Sequence, residues 1–358
     1  MGFWQNRNVF VTGATGLLGS WMVETLIGEG ATVTCLVRDW VPGSKLISSG
    51  TANRANIVHG QLEDYELLLR VINEYEIDSV FHLAAQTIVG TASRSAISTF
   101  ESNIRGTWNL LEACRVCPKL IERIVFASSD KAYGAHDNLP YTEDMALQGR
   151  FPYDVSKSCA DLIAQSYFHS YGMPITITRC VNLFGGGDLS FNRLVPGTIA
   201  SALRNERPVI RSDGKFVRDY FYVMNAVEGY MKLAETMPDP SINGQAFNFG
   251  YGEPLSVIEL VDEILTVMDK SHLEPIIQNE TSNEIVNQYL DCSKAKRLLG
   301  WEPRYDRREG LKKTIRWYRT YLNIHGEDQE ASSNGRSLRP DDLPDYSFNY
   351  RHYEEREK

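Results

Sequence analysis

Tyr153 and Lys157 lie four residues apart in Tyr-Asp-Val-Ser-Lys, so a helix through this stretch projects both side chains from one face. A phenol is a weak base at its ordinary pKa of about 10, and a neighbouring ammonium group favours its anion. The pair is suited to taking the proton of an alcohol as that alcohol is oxidised. Upstream, Phe126-Ala127-Ser128-Ser129-Asp130-Lys131 ends an apolar run with a hydroxyl, a carboxyl and an amine in succession. Such groups can hydrogen-bond, protonate and deprotonate a substrate. An Asp-Lys pair after a strand also serves as a plain surface turn, so the context has to decide.

That context begins with Gly13, Gly16 and Gly19, spaced GxxGxxG between an apolar run at 8–12 and an amphipathic stretch at 17–28. A strand-to-helix turn of this kind lets backbone N–H groups approach a pyrophosphate, which the helix dipole favours. Gly13, Thr15, Gly16, Leu17 and Leu18 are therefore expected to hold a dinucleotide, although glycine also serves tight turns for steric reasons alone. An acidic residue at the end of the next strand would accept from the ribose of NAD, and an arginine would pair with the 2′-phosphate of NADP. The order here is Val37-Arg38-Asp39, which favours NADP over NAD. Leu83-Ala84-Ala85 is a small-residue loop that lets the backbone come close to the cofactor, and Gln61 and Leu62 are placed to flank the adenine. A nicotinamide cation bound there would join Lys157 in lowering the pKa of Tyr153.

Several elements must position these groups. Apolar, β-branched runs at 8–12, 31–37, 79–83, 123–127 and 175–179 alternate with helical patterns at 17–28, 65–75 and 99–117. The expected fold is α/β, a Rossmann-type doubly wound parallel sheet over residues 1–183. Less regular spacing follows, and residues 184–325 are expected to form a smaller, interleaved α/β lobe for the substrate. Residues 326–358 are a polar tail containing Tyr346, Phe348, Tyr350 and Tyr353, with a composition suited to disorder or to packing on a neighbour.

The 358 residues are 42% hydrophobic and 23% charged, an ordinary globular composition. A net charge of −9 and a pI near 5.4 argue against a nucleic-acid partner. No run reaches the roughly 18 apolar residues of a membrane span, and Met1 to Arg7 lacks the apolar core of a secretory signal. A cytoplasmic location is expected, with six scattered reduced cysteines. Cys114 and Cys117 form a CxxC in a helical stretch with no second pair, so no metal site is expected.

Together the glycine turn, Ser129, Tyr153/Lys157 and Arg218-Asp219-Tyr220 resemble the extended short-chain dehydrogenase/reductase family of nucleotide-sugar epimerases and dehydratases, over roughly residues 8–321. The resemblance implies that Ser129 hydrogen-bonds the sugar O4 beside Tyr153 and Lys157. Asp130-Lys131 resembles the acid/base pair of 4,6-dehydratases, in the Asp-Lys form of CDP-glucose and some UDP-sugar enzymes. It implies that Tyr153 takes the O4 proton during C4 oxidation, Lys131 removes the C5 proton, Asp130 protonates the leaving 6-hydroxyl, and hydride returns to C6. The cofactor would be tightly bound and regenerated in each turnover. The resemblance also implies substrate contacts at Gln86, Asn182, Asn192, Arg193 and Arg218, and favours CDP-glucose as the nucleoside-diphosphate sugar. The same resemblance implies a homodimer through helices near 103–117 and 153–171, with a tetramer left open. Two other readings stand beside this one: a C4 epimerase on the same scaffold, and a non-catalytic NAD(P)-binding regulator. An activated phenol has no use in the latter.

Overall fold

The computed structural model describes residues 2–280 and 285–323. In chain order the first layer elements are β1 (Asn8–Thr12), α1 (Leu17–Gly28), β2 (Thr32–Val37), β3 (Asn56–His59), α2 (Tyr65–Glu74), β4 (Ser79–His82), α3 (Gly106–Arg115), β5 (Arg123–Ala127), α4 (Pro152–Tyr171), β6 (Ile175–Cys180), α5 (Val223–Thr236) and β7 (Ala246–Phe249). The seven strands form one parallel sheet in the order β7-β6-β5-β4-β1-β2-β3. This is the doubly wound arrangement expected from the alternating pattern. Strand order reverses between β1 and β4, and in such sheets ligands bind beyond the carboxyl ends of the strands at that point.

Both faces of the sheet are covered, which explains why its strands read as apolar runs. Val9 and Val11 of β1 join a core with Val33, Cys35, Phe81 and Phe247, whereas Phe10 between them joins Val80, Phe126 and Ile177 on the other face. That alternation is the period of two of a pleated strand. Full burial of a side chain such as Phe10 contributes about 1.5–3 kcal/mol. Helices α1 and α5 pack together, and α3 packs against both α2 and α4.

The helix expected over 99–117 is interrupted. Ala96–Phe100 leads into one wide π turn, Glu101–Arg105, before α3 begins. Such bulges often sit at functional sites, and this one carries the buried Asn103.

The second lobe has its own core, with Phe184, Ile199, Tyr222, Leu260, Val261 and Tyr318. Within it Val217–Arg218 pairs antiparallel with Leu255–Ser256 and parallel with Asn287–Gln288. The seam drawn at 183/184 falls inside a short strand, Asn182–Phe184, and the chain returns to the main sheet where Ala246 pairs with Ile177. The tail at 326–358 lies outside the described residues. Among those described, no helix is long and apolar enough to cross a membrane, and no group of His, Cys, Asp and Glu is arranged to hold a metal.

Candidate active site

The turn after β1 is shaped for close backbone approach. Gly13 adopts φ 74°, and a Cβ there would lie 2.8 Å from the backbone nitrogen of Ala84. A Cβ on Gly19 would lie 2.1 Å from the Gly13 carbonyl oxygen, so the helix can start this close to the strand only with glycine. Gly16 caps α1 without a side-chain hydrogen bond, and the first turn holds no acidic residue. The leading N–H groups, with Thr15, Leu17 and Leu18 around them, thus face an anion with no competing carboxylate. These residues fit a dinucleotide pyrophosphate.

Farther along the strand ends, Arg38 lines a cleft of about 320 Å³ with His59, Gly60, Gln61, Asp64 and Leu67. Arg38 and Asp39 are both exposed, and they pair at 2.7 Å. Leu62 differs from its neighbour Gln61. Its side chain is buried with Phe10 and Leu68, leaving only its backbone near the cleft, where its carbonyl accepts from Asn109 at 3.1 Å.

The loop after β4 is fixed by a buried polar relay that the sequence did not single out. Leu83 and Ala84 N–H groups both donate to Thr12 Oγ1 at 3.2 Å, so the Thr12 hydroxyl proton goes to His82 Nδ1, 2.8 Å away. His82 Nε2–H then donates to Thr107 Oγ1 at 3.1 Å, and Thr107 donates to the Asn103 carbonyl at 2.7 Å. Burial, aided by the charge of Lys157, lowers the His82 pKa to about 3, so the ring stays neutral. Asn103 also grips Gln86 on both backbone groups, accepting from its nitrogen at 2.6 Å and donating to its carbonyl at 3.1 Å. It donates further to Ser156 on α4 at 2.9 Å. The π turn therefore ties the Gln86 loop to the helix that carries Tyr153.

Ser129, Asp130, Lys131, Tyr153 and Lys157 converge at the carboxyl end of β5. Ser129 caps a short 3-10 turn, Asp130–Tyr133, its hydroxyl accepting from Lys131 N at 3.2 Å and donating to Asp130 Oδ1 at 2.9 Å. Asp130 is buried, and its Oδ2 has no hydrogen-bond partner. Burial raises its carboxyl pKa, against the opposing pull of Lys131, Ser129 and Arg218. Tyr153 on α4 is also buried, and its phenol rises to about 12, first by burial and then by Asp130, with Arg193 and the Ser129 hydroxyl opposing. Lys157 falls to about 8 by burial, and its Nζ donates to the Ala127 carbonyl at 2.7 Å. The expected lowering of the phenol requires the nicotinamide cation beside Lys157; without it, burial sets the direction of the shift. Lys131 is half-buried.

The residues expected to hold substrate phosphates are distributed unevenly. Arg218 is buried, and its guanidinium donates to the Val217 and Val286 carbonyls at 2.9 and 2.8 Å and to the Ile285 carbonyl. Its charge still reaches Asp130. Arg193 pairs with Asp188 at 3.3 Å and donates to Thr87 at 3.1 Å, which brings it to the Tyr153 side of the cleft. Asn192 is exposed and accepts from Arg211 at 2.8 Å. Asn182 opens the strand paired with Tyr220, and the Gln86 side chain accepts from Ile88 N at 3.1 Å within its own loop.

Behind the Asp130–Tyr133 turn, Arg179 and Asp161 form a buried two-point ion pair at 2.9 and 3.1 Å. Arg179 also donates to Tyr133 Oη at 3.0 Å, and Tyr133 donates to Asn248 at 2.7 Å. Nothing in the spacing of these residues marked them as partners.

A model of the family described as GDP-mannose 4,6 dehydratase matches residues 10–314. The chain belongs to this family. The CDP-glucose 4,6-dehydratase of Salmonella typhimurium is 31% identical over 340 residues, covering 91% of this chain and 94% of that protein. The human dTDP-D-glucose 4,6-dehydratase is 26% identical over 329 residues, covering 89% and 91%. Among solved structures, a dTDP-glucose 4,6-dehydratase from Bacillus anthracis in complex with NAD superposes with a TM-score of 0.78 at 26% identity, covering 88% of this chain and 97% of that one. A UDP-glucose 4-epimerase from Thermotoga maritima with UDP-glucose gives 0.77 at 27% identity, covering 88% and 99%. This member of the GDP-mannose 4,6-dehydratase family is a nucleotide-sugar 4,6-dehydratase, a hydro-lyase on the Rossmann scaffold shared with epimerases.

Proposed function

We propose that this dehydratase converts CDP-glucose to the CDP-4-keto-6-deoxyhexose, with Ser129, Asp130, Lys131, Tyr153 and Lys157 as the reacting set. The observation that carries the reading is Asp130. A buried carboxyl with one oxygen bonded to Ser129 and the other free holds a proton more readily than an exposed one, as an acid for the leaving 6-hydroxyl must. A nicotinamide cofactor held by the glycine turn would supply reversible hydride acceptance and a positive charge that favours the Tyr153 phenolate.

Within the chain, Ser129 holds the sugar O4 and Tyr153 Oη, as the phenolate, receives its proton as the C4–O4 carbonyl forms. Lys131 Nζ removes the C5 proton, made acidic by that carbonyl. The C5–C6 double bond forms as the C6–O6 bond breaks, and Asp130 gives its proton to O6 so that water leaves. Lys131 then returns a proton to C5. Lys157 orders the Tyr153 side of the site from its hold on the Ala127 carbonyl.

The similarity to the Salmonella CDP-glucose enzyme supports cytidine as the base. The position of Arg38 on the adenosine cleft supports NADP over NAD, and the glycine turn accommodates either. Exposed Trp108 on α3 and Leu162 on α4, two helices that pack together, support a homodimer through that face. Six free thiols support a reducing, cytoplasmic setting.

Mass spectrometry of the purified protein with CDP-glucose, and in parallel with other NDP-hexoses, tests the reading. Loss of one water with no net cofactor consumption is expected, and Lys131→Met is expected to abolish it while leaving cofactor binding intact. A new isomer of unchanged mass would assign the chain to epimerisation instead.

A further inference from the structure

We propose that Gln288, in the second lobe, is a positioning residue for the proton-transfer turn Asp130–Tyr133, tying the placement of Asp130 to the strand paired with Arg218. The inference rests on the proposed roles of Asp130 and Lys131. Gln288 is 0% exposed, and its Nε2 donates to the Asp130 carbonyl at 2.9 Å although 158 positions separate them in the chain. Among the described residues its Oε1 has no partner, and the amide bonds to Asp130.

The residues that follow this strand, Tyr289 to Asp291, hold the other end of the turn. Tyr141 is fixed by backbone bonds to Tyr289 at 3.0 Å and Asp291 at 2.9 Å, and its hydroxyl donates to the Gly134 carbonyl at 2.9 Å. Gly134 is the residue that closes the turn. Residues 288–291 thus grip the proton-transfer turn at its first residue and at its cap. Through its backbone this strand also pairs Gln288 with Arg218, whose guanidinium is held by the carbonyls of Ile285 and Val286.

One short strand therefore connects the buried Arg218 to the acid proposed to protonate the leaving group. A glutamine suits the position because it must donate. An ionised carboxylate of the same length only accepts, and would put a buried charge beside the Asp130 carboxyl. Methionine preserves the volume and removes the donor.

The test compares wild type, Gln288→Met and Gln288→Glu as holoenzymes in rapid-mixing experiments with whichever NDP-hexose the wild type dehydrates. Absorbance of reduced nicotinamide follows C4 oxidation, and mass spectrometry follows water loss. Displacing the turn is expected to slow water loss by about 100-fold, with the rate of C4 oxidation and KM retained, so that reduced cofactor accumulates. Thermal melting establishes that each variant folds, and the near-isosteric glutamate decides the matter should methionine prevent folding. Equal slowing of both steps in a folded variant would reduce Gln288 to an ordinary core contact and overturn the inference, as would no slowing of either. Should the wild type remove water from no NDP-hexose, the assignment of Asp130 and Lys131 fails first and takes the inference with it.

Discussion

Asp219 offers a quantitative test of the electrostatics beneath the substrate lobe. It is 0% exposed, its Oδ2 accepts from Gly252 N at 2.8 Å, and its Oδ1 has no hydrogen-bond partner. Burial raises its pKa from 3.8 to about 6, and the N–H groups of Gly252 and Tyr251 and the charge of Arg307 only partly oppose this. Since the folded pKa lies above the unfolded one, the folded state binds the proton more tightly. The stability this group contributes is therefore fully present below pH 3.8 and is lost as pH rises to about 6. A rise of that size corresponds to about 3 kcal/mol at about 1.36 kcal/mol per unit. Asp219→Asn keeps an acceptor for Gly252 and removes the titration. Urea unfolding of both proteins across this window should show their stability difference moving by about 3 kcal/mol in favour of the variant as pH rises. All other titrating groups are common to the two proteins and cancel. A difference that stays constant from pH 3.8 to 7 would refute the reasoning.

Three further outcomes are expected. Asn103→Ala removes three hydrogen bonds that join the Gln86 loop to α4, and should lower unfolding free energy by about 3 kcal/mol at about 1 kcal/mol each, measured by urea denaturation. Arg38→Ala should weaken NADP binding by about 10- to 100-fold, the loss of one charge-assisted contact, while NAD binding changes little; calorimetric titration with both cofactors checks this. Arg179→Met strands the Asp161 carboxylate in the core and should cost about 3–5 kcal/mol, whereas the double variant Arg179→Met, Asp161→Leu should recover much of that loss in thermal melts.

Local patterns carried most of the first layer. Apolar strands separated by amphipathic helices require a parallel sheet covered on both faces, and three glycines at one strand-to-helix junction require a turn that packs backbone against backbone. Each signal lies within a few residues of its consequence. The grouping of the proposed reacting residues was legible for the same reason, since Ser129 to Lys131 share one strand end and Tyr153 and Lys157 one helical face.

The tertiary structure decided what depends on distant partners. The Thr12–His82–Thr107 relay, the Asn103 grip, the Arg179–Asp161 pair and the hold of Gln288 on Asp130 each join elements far apart in sequence, and no spacing along the chain encodes them. Burial is likewise a property of the assembled core. It raised Tyr153 and lowered Lys157, shifts that spacing along the chain does not encode. It also turned Leu62 inward, where an apolar side chain gains more from the core than from a cofactor edge. Residue types and their local order determined which chemistry this chain carries; packing decided the protonation of those groups and which neighbours hold them in place, because desolvation and long-range hydrogen bonds exist only once the layers close.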